Sequence, residues 1–223
     1  LGVTTLSHQQ LTTIQSIAEA ASLPKLGFNR KFPKKVLRRP HQYGGYVDPA
    51  LYTIKGYKQI QFLIGHIRNK DDIGKMIKQE LEHLQLSAGI EKPIMQRGVT
   101  DKWTRWVEPT WVTDIKKFLS TIDAGLYFTD IWHPQIQREG DVFIMDSVQD
   151  SMKDTHIQQV NRCRTFLEAL TLADITTPDG TQLDSNAIIG RKNKANYSKL
   201  EWPPQNSIHA EGWKVWTTFL QQE

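Results

Sequence analysis

A single cysteine, Cys163, stands among the 223 residues. That scarcity excludes an internal disulfide framework and any zinc site built on several thiolates, and it suits a reducing compartment, nuclear or cytoplasmic. No apolar run reaches the roughly 18 residues at which a helix could span a bilayer, so no membrane partner is expected. The glycine-rich loop that cradles phosphates in nucleotide-binding enzymes is also missing, and Gly44-Gly45 alone does not supply it. The chain opens on Leu1-Gly2-Val3, with neither Met nor a basic start followed by an apolar stretch. It therefore reads as an excerpt of a longer polypeptide without a signal peptide.

The most informative scarcity is of acid. From Ala20 to Val47 there is no Asp or Glu, yet the stretch holds Lys25, Arg30, Lys31, Lys34, Lys35, Arg38 and Arg39. The formal net charge of the whole chain is only +4, so the remainder is close to neutral or acidic. Such a charge run needs free solvent or an anionic partner. Phosphate backbones are the commonest one, because each contacting Lys or Arg releases condensed counterions.

The run is interleaved with Leu26, Phe28, Phe32, Val36 and Leu37, which predicts a folded basic surface rather than a free tail. Pro33, Pro40, Gly44 and Gly45 predict loop and short irregular pieces. The segment closes with His41-Gln42-Tyr43-Gly44-Gly45-Tyr46, in which glycines let backbone approach a ligand and the tyrosines can pack on sugar or base. The candidate nucleic-acid-binding residues are thus Lys25, Arg30, Lys31, Lys34, Lys35, Arg38, Arg39, Tyr43, Gly44 and Gly45. Gly190-Arg191-Lys192-Asn193-Lys194 is a second, weaker basic run.

Elsewhere apolar residues recur at helical spacing. Ser7 is the predicted N-cap of a helix with Leu11, Ile14, Ala18 and Ala21 on one face, ended by Pro24 and Gly27. A second helix is expected from about Tyr57 to Arg68, with Tyr57, Ile60, Ile64 and Ile67 as its stripe. A third starts at Asp71 or Asp72, carries Ile73, Ile77, Leu81 and Leu84, and stops at Gly89, giving an antiparallel pair across Asn69-Lys70. Trp111, Ile115, Phe118 and Ile122 mark a fourth. Val142, Met145, Val148 and Met152 predict a fifth, and Ile157, Val160, Arg164, Leu167 and Thr171 a sixth. Trp213, Trp216 and Leu220 complete a C-terminal helix after the extended Trp202-Pro203-Pro204. Leu126-Tyr127-Phe128 and the region of Trp132 fit short strands or loop. The expected fold is mainly α with few short strands, divided near Gln96–Asp101 into a basic unit (1–96) and a helical unit (97–223).

No catalytic constellation emerges. Asp71-Asp72 lacks the strand-turn setting of a catalytic pair and reads as a helix cap. Asp141, Asp146 and Asp150 share a face if their segment is helical, and a hydrolase built on them is the least favoured reading against a solvated acidic face. The histidines at 8, 41, 66, 83, 133, 156 and 209 show no metal-ligand spacing. Cys163, although flanked by Arg162 and Arg164, adjoins an apolar stripe and reads as a packing residue. Trp103, Trp106, Trp111 and Trp132 could stack on bases, but core or edge packing is the commoner use.

Several blocks resemble a family. Leu23-Pro24-Lys25-Leu26-Gly27-Phe28-Asn29-Arg30, Phe32-Pro33, Tyr43-Gly44-Gly45 and Leu51-Tyr52-Thr53 are similar to a recurring block in reverse-transcriptase polyproteins of protist non-LTR retroelements, of the diatom and oomycete type. The likeness runs on through Gln59 to Arg68, Pro134 to Asp141 with Ile144-Met145-Asp146, Asn161 to Arg164, Leu170 to Thr176, and the Trp202 to Trp216 tail. It implies the region after the polymerase palm: a thumb-like helical bundle followed by a connector.

The polymerase strand Tyr-x-Asp-Asp belongs to the palm. Here Tyr127-Phe128-Thr129-Asp130 comes nearest and lacks the second aspartate, and Tyr46-Val47 departs from the Leu-Gly that commonly follows Tyr-Gly-Gly. The resemblance therefore implies a non-catalytic part of an RNA-directed DNA polymerase, binding template–primer duplex beside an upstream palm. Magnesium is expected only in that palm, and no cofactor in this chain. A protein-interaction scaffold with a nuclear-localisation-like basic segment is the alternative.

Overall fold

The structure, a computed structural model, describes residues 6–46, 49–192 and 200–221, and it is mainly α-helical. In chain order the helices are α1 (His8–Ser22), α2 (Lys34–Leu37), α3 (Leu51–Asn69), α4 (Asp72–Ala88), α5 (Trp111–Thr121), α6 (Asp154–Leu167), α7 (Ser185–Ile188) and α8 (Ala210–Leu220). Among the described residues β-pairing is limited to two isolated antiparallel bridges, Phe143 with Thr171 and Thr176 with Leu183. Leu126-Tyr127-Phe128 is loop. Two compact units divide the chain: Leu1–Gly74 with Thr110–Leu119, and Lys75–Pro109 with Ser120–Glu223.

In the first unit Ser7 caps α1 reciprocally. Its hydroxyl accepts from Gln10 N at 3.2 Å while its own N–H donates to Gln10 Oε1 at 2.8 Å, satisfying two otherwise unpaired donors. The buried face, however, is Leu11, Gln15 and Glu19, not the expected stripe through Ile14, Ala18 and Ala21. Ile14 is 46% and Ile17 66% exposed. Polar anchors set the rotation of this helix. Gln15 Oε1 accepts the unpaired Leu51 N–H at the start of α3 (3.0 Å), and Glu19 binds two cations of the basic segment.

The same holds in α3, where Lys55, Gly56, Gln59 and Leu63 are buried while Tyr57 lies largely exposed. Gly56 is required there: a Cβ would overlap the Phe118 ring of α5. Lys70, at φ 54°, ends α3, and Asp71 then caps α4 by accepting Gly74 N–H at 2.7 Å. Its second oxygen meets His66 Nδ1 at 2.7 Å, so Asp71 is a cap, as its setting predicts.

In the second unit α4 buries Ile77, Leu81 and Leu84 as expected, and Gly89, at φ 64°, follows its last turn. Arg164 of α6, fully buried, donates to the carbonyls of Leu86 (2.7 Å) and Ser87 (2.8 Å), and Trp106 Nε1 donates to that of Ala88 (3.0 Å). The end of α4 is therefore closed by side chains from elsewhere in the unit. Helices α6 and α8 pack together, with Ile157, Val160 and Cys163 buried on one and Trp216 and Phe219 on the other.

The predicted helix over Val142–Met152 does not form. Phe143, Ile144 and Met145 are all buried in succession, which no single helical face allows. Their backbone bonds instead with the 170–172 segment, Ile144 N–H to Leu170 C=O (3.0 Å) and Leu172 N–H to Val142 C=O (3.0 Å).

Candidate nucleic-acid interface

Between α1 and α3 the basic segment is a sequence of short turns, each with a local cause. Pro24–Leu26 form a 3₁₀ turn closed by Gly27 at φ 81°, and Phe28 N–H returns to the Leu23 carbonyl at 2.9 Å. Asn29 makes the next turn, its side chain accepting Lys31 N–H (2.9 Å) and its carbonyl Phe32 N–H (2.9 Å). Pro33 precedes α2, whose Leu37 is buried. Pro40 starts a 3₁₀ turn over His41–Tyr43, and Gly44, at φ 73°, ends it. Gly45 is buried, and a Cβ on it would overlap the Arg39 carbonyl.

An aromatic cluster ties the two ends together. Phe28 lies 4.7 Å from Phe32 and 4.9 Å from Tyr46, centroid to centroid, with edge-to-face geometry to Tyr46. The segment is thus a shaped surface. Tyr43 stands outside the cluster, 66% exposed.

The structure divides the seven cations. Glu19 is buried one residue before the acid-free stretch begins. Lys34 Nζ lies 3.0 Å from its Oε2, and Arg38 Nη2 donates to Oε1 at 3.1 Å. Burial pushes the Glu19 carboxyl upward, but the two cations outweigh it and hold its pKa below the ordinary value of 4.5. Lys25, Arg30, Lys31, Lys35 and Arg39 are exposed, and among the described residues no carboxylate pairs with them. In sequence the seven are alike; Glu19, just outside the run, is the residue that separates them, and no local pattern marks it as their partner.

The other candidates disperse. Asp141 Oδ1 accepts the Ala173 and Val142 N–H groups, both at 3.0 Å. Asp146 accepts Glu91 N–H at 3.0 Å, and burial raises its carboxyl above the ordinary value. Exposed Asp150 pairs with Lys102, whose hydrogen bond lowers its pKa. With their segment non-helical these three share no face, and among the described residues no group of three His, Cys, Asp or Glu could hold a metal ion.

Trp103 is buried and Trp106 holds the end of α4, so neither is presented for stacking. Burial drives the Cys163 thiol up to about 12. In the second basic run Lys192 is drawn to Glu168 (2.7 Å) and over the Phe166 ring, while Asn193 and Lys194 lie outside the described residues. No helix of the described residues is long and apolar enough to cross a membrane. Comparison with protein-family models, curated proteins and solved structures found no match.

Proposed function

We propose that the Lys25–Tyr46 segment grips nucleic acid through its phosphates, independently of sequence. One observation carries this reading: five exposed, carboxylate-free cations stand on a segment of short turns and the short helix α2, shaped by proline, glycine and an aromatic cluster. A pre-shaped cationic surface loses little conformational freedom on binding, and it gains from counterion release. Lys34 and Arg38 serve first as the link between α2 and Glu19 and contribute charge only from their exposed sides.

In the wider reading, supported by the sequence resemblance, the chain is the thumb and connector of a retroelement reverse transcriptase. It would hold template–primer duplex beside an upstream palm that carries the magnesium chemistry, in nucleus or cytoplasm. The test is fluorescence anisotropy with labelled duplex across a salt series. Five phosphate contacts give a slope of about −4 to −5 in log K against log salt. Affinity absent at low salt, or unchanged when Lys25, Arg30, Lys31, Lys35 and Arg39 are all replaced by Ala, removes the proposal.

A second reading, a protein-interaction scaffold whose basic run is a nuclear address, draws on the exposed Ile14, Ile17 and Leu26 of the same unit. Recovery of proteins but no nucleic acid in a pull-down favours it.

A further inference from the structure

The first unit contains a cavity of about 150 Å³ that the basic segment does not use. It is lined by Leu6 and the cap residue Ser7, by His8 of α1, by Tyr52, Lys55, Gly56 and Gln59 of α3, and by Asp114, Lys117 and Phe118 of α5. One wall is aromatic: His8 and Tyr52 meet edge to face at 4.6 Å, and Tyr52 meets Phe118 at 5.6 Å. Facing chemistry is supplied by an ion pair. Lys55, only 3% exposed, donates from Nζ to Asp114 Oδ2 at 2.9 Å and to the Leu6 carbonyl at 2.8 Å.

An ammonium has three hydrogens and a carboxylate two oxygens. Lys55 Nζ thus uses two of its three hydrogens and Asp114 gives it one of its two oxygens, and both residues line the cavity. Burying a lysine here without using its full donor capacity is costly unless something else completes it.

We propose that this cavity binds one six-membered ring carrying a lactam edge, a pyrimidine base of the uracil or thymine type. Size argues for one ring, since a cavity of about 150 Å³ accommodates a benzene-sized molecule and not a fused pair. Polarity argues for the lactam. Its carbonyl oxygen accepts from Lys55 Nζ while the neighbouring ring N–H donates to Asp114 Oδ1. The aromatic wall offers ring contacts to the base. Lys117, exposed at the rim, is placed for the attached phosphate. The choice of a base among lactams rests on the nucleic-acid reading. Helix α1 links the two sites, with His8 at the cavity and Glu19 at the basic segment, about 16 Å apart at helical rise.

The experiment titrates the full chain with uridine, N3-methyluridine and adenosine, followed by saturation-transfer NMR and calorimetry. These nucleosides carry no phosphate, so they report on the cavity and not on the basic segment. Saturable uridine binding is expected, weakened about tenfold or more by N3-methylation, which removes the donor that Asp114 accepts. Adenosine should not compete. Uridine binding should survive Ala replacement of the five exposed cations, whereas the duplex salt dependence should not. Uridine that fails to bind at millimolar concentration, or that binds no better than its N3-methyl form or adenosine, overturns the proposal and leaves the phosphate reading standing. Lys117→Ala, which alters only an exposed rim residue, should weaken uridine 5′-monophosphate while sparing uridine. Equal affinity of this variant and the unaltered chain for the monophosphate counts against the assigned orientation.

Discussion

The Glu19 carboxylate accepts a hydrogen bond from Arg38 Nη2 at 3.1 Å, and through it the basic segment is fastened to the buried face of α1. Because the cations depress the Glu19 pKa below 4.5, its stabilising effect is fully present above that pH. It is lost as pH falls through the lower folded-state value. Glu19→Gln should therefore cost about 1.5–3 kcal/mol at neutral pH, the range for hydrogen bonds to charged groups. The gap from the unaltered chain should close as the pH is taken progressively below 4.5, as read by urea denaturation at several pH values.

The division of cations makes a second expectation. Lys34→Ala with Arg38→Ala leaves Glu19 buried without its two partners, so the melting temperature should fall. Lys35→Ala with Arg39→Ala removes exposed charge only. Thermal melts should be unchanged for that pair, while duplex affinity at low salt drops and the salt slope flattens by about 2.

Adjacent glycines should respond differently. Gly44 has a positive φ but open space around its missing Cβ, so Ala there costs about 1–2 kcal/mol of left-handed strain. At Gly45 the Cβ would overlap the Arg39 carbonyl, and the turn cannot close around it. Gly45→Ala should reduce nucleic-acid affinity more than Gly44→Ala, measured beside stability for both.

Cys163, with its thiol raised to about 12, should resist alkylation in the folded chain at pH 8. Labelling should appear only with the unfolding transition in denaturant. Rapid labelling under native conditions would contradict the burial of α6 against α8.

Arg164 and Gly89 form a unit at the end of α4, where the guanidinium occupies the space that a Cβ on Gly89 would need. Arg164→Lys keeps the charge but loses the planar fork that serves the Leu86 and Ser87 carbonyls together. A loss of about 2–3 kcal/mol is expected from calorimetric melts, since buried carbonyls are left unpaired.

Much was legible in the chain because its cause is local. Ser7 with Gln10, Asp71 before α4, Gly89 after it, and the apolar spacing in α4, α6 and α8 all act within one or two helical turns. The acid-free basic segment and its proline–glycine turns belong to the same class, as does the scarcity of cysteine. Only the tertiary structure decided which faces of α1 and α3 are buried, because Gln15, Glu19 and Lys55 are polar residues whose burial depends on partners distant in sequence. It also decided that 142–144 bonds to the 170–172 segment instead of opening a helix. The basic run itself was sequence; which of its charges pair with a carboxylate was decided by Glu19 brought beneath it, since an ion pair depends on distance in space and composition carries none.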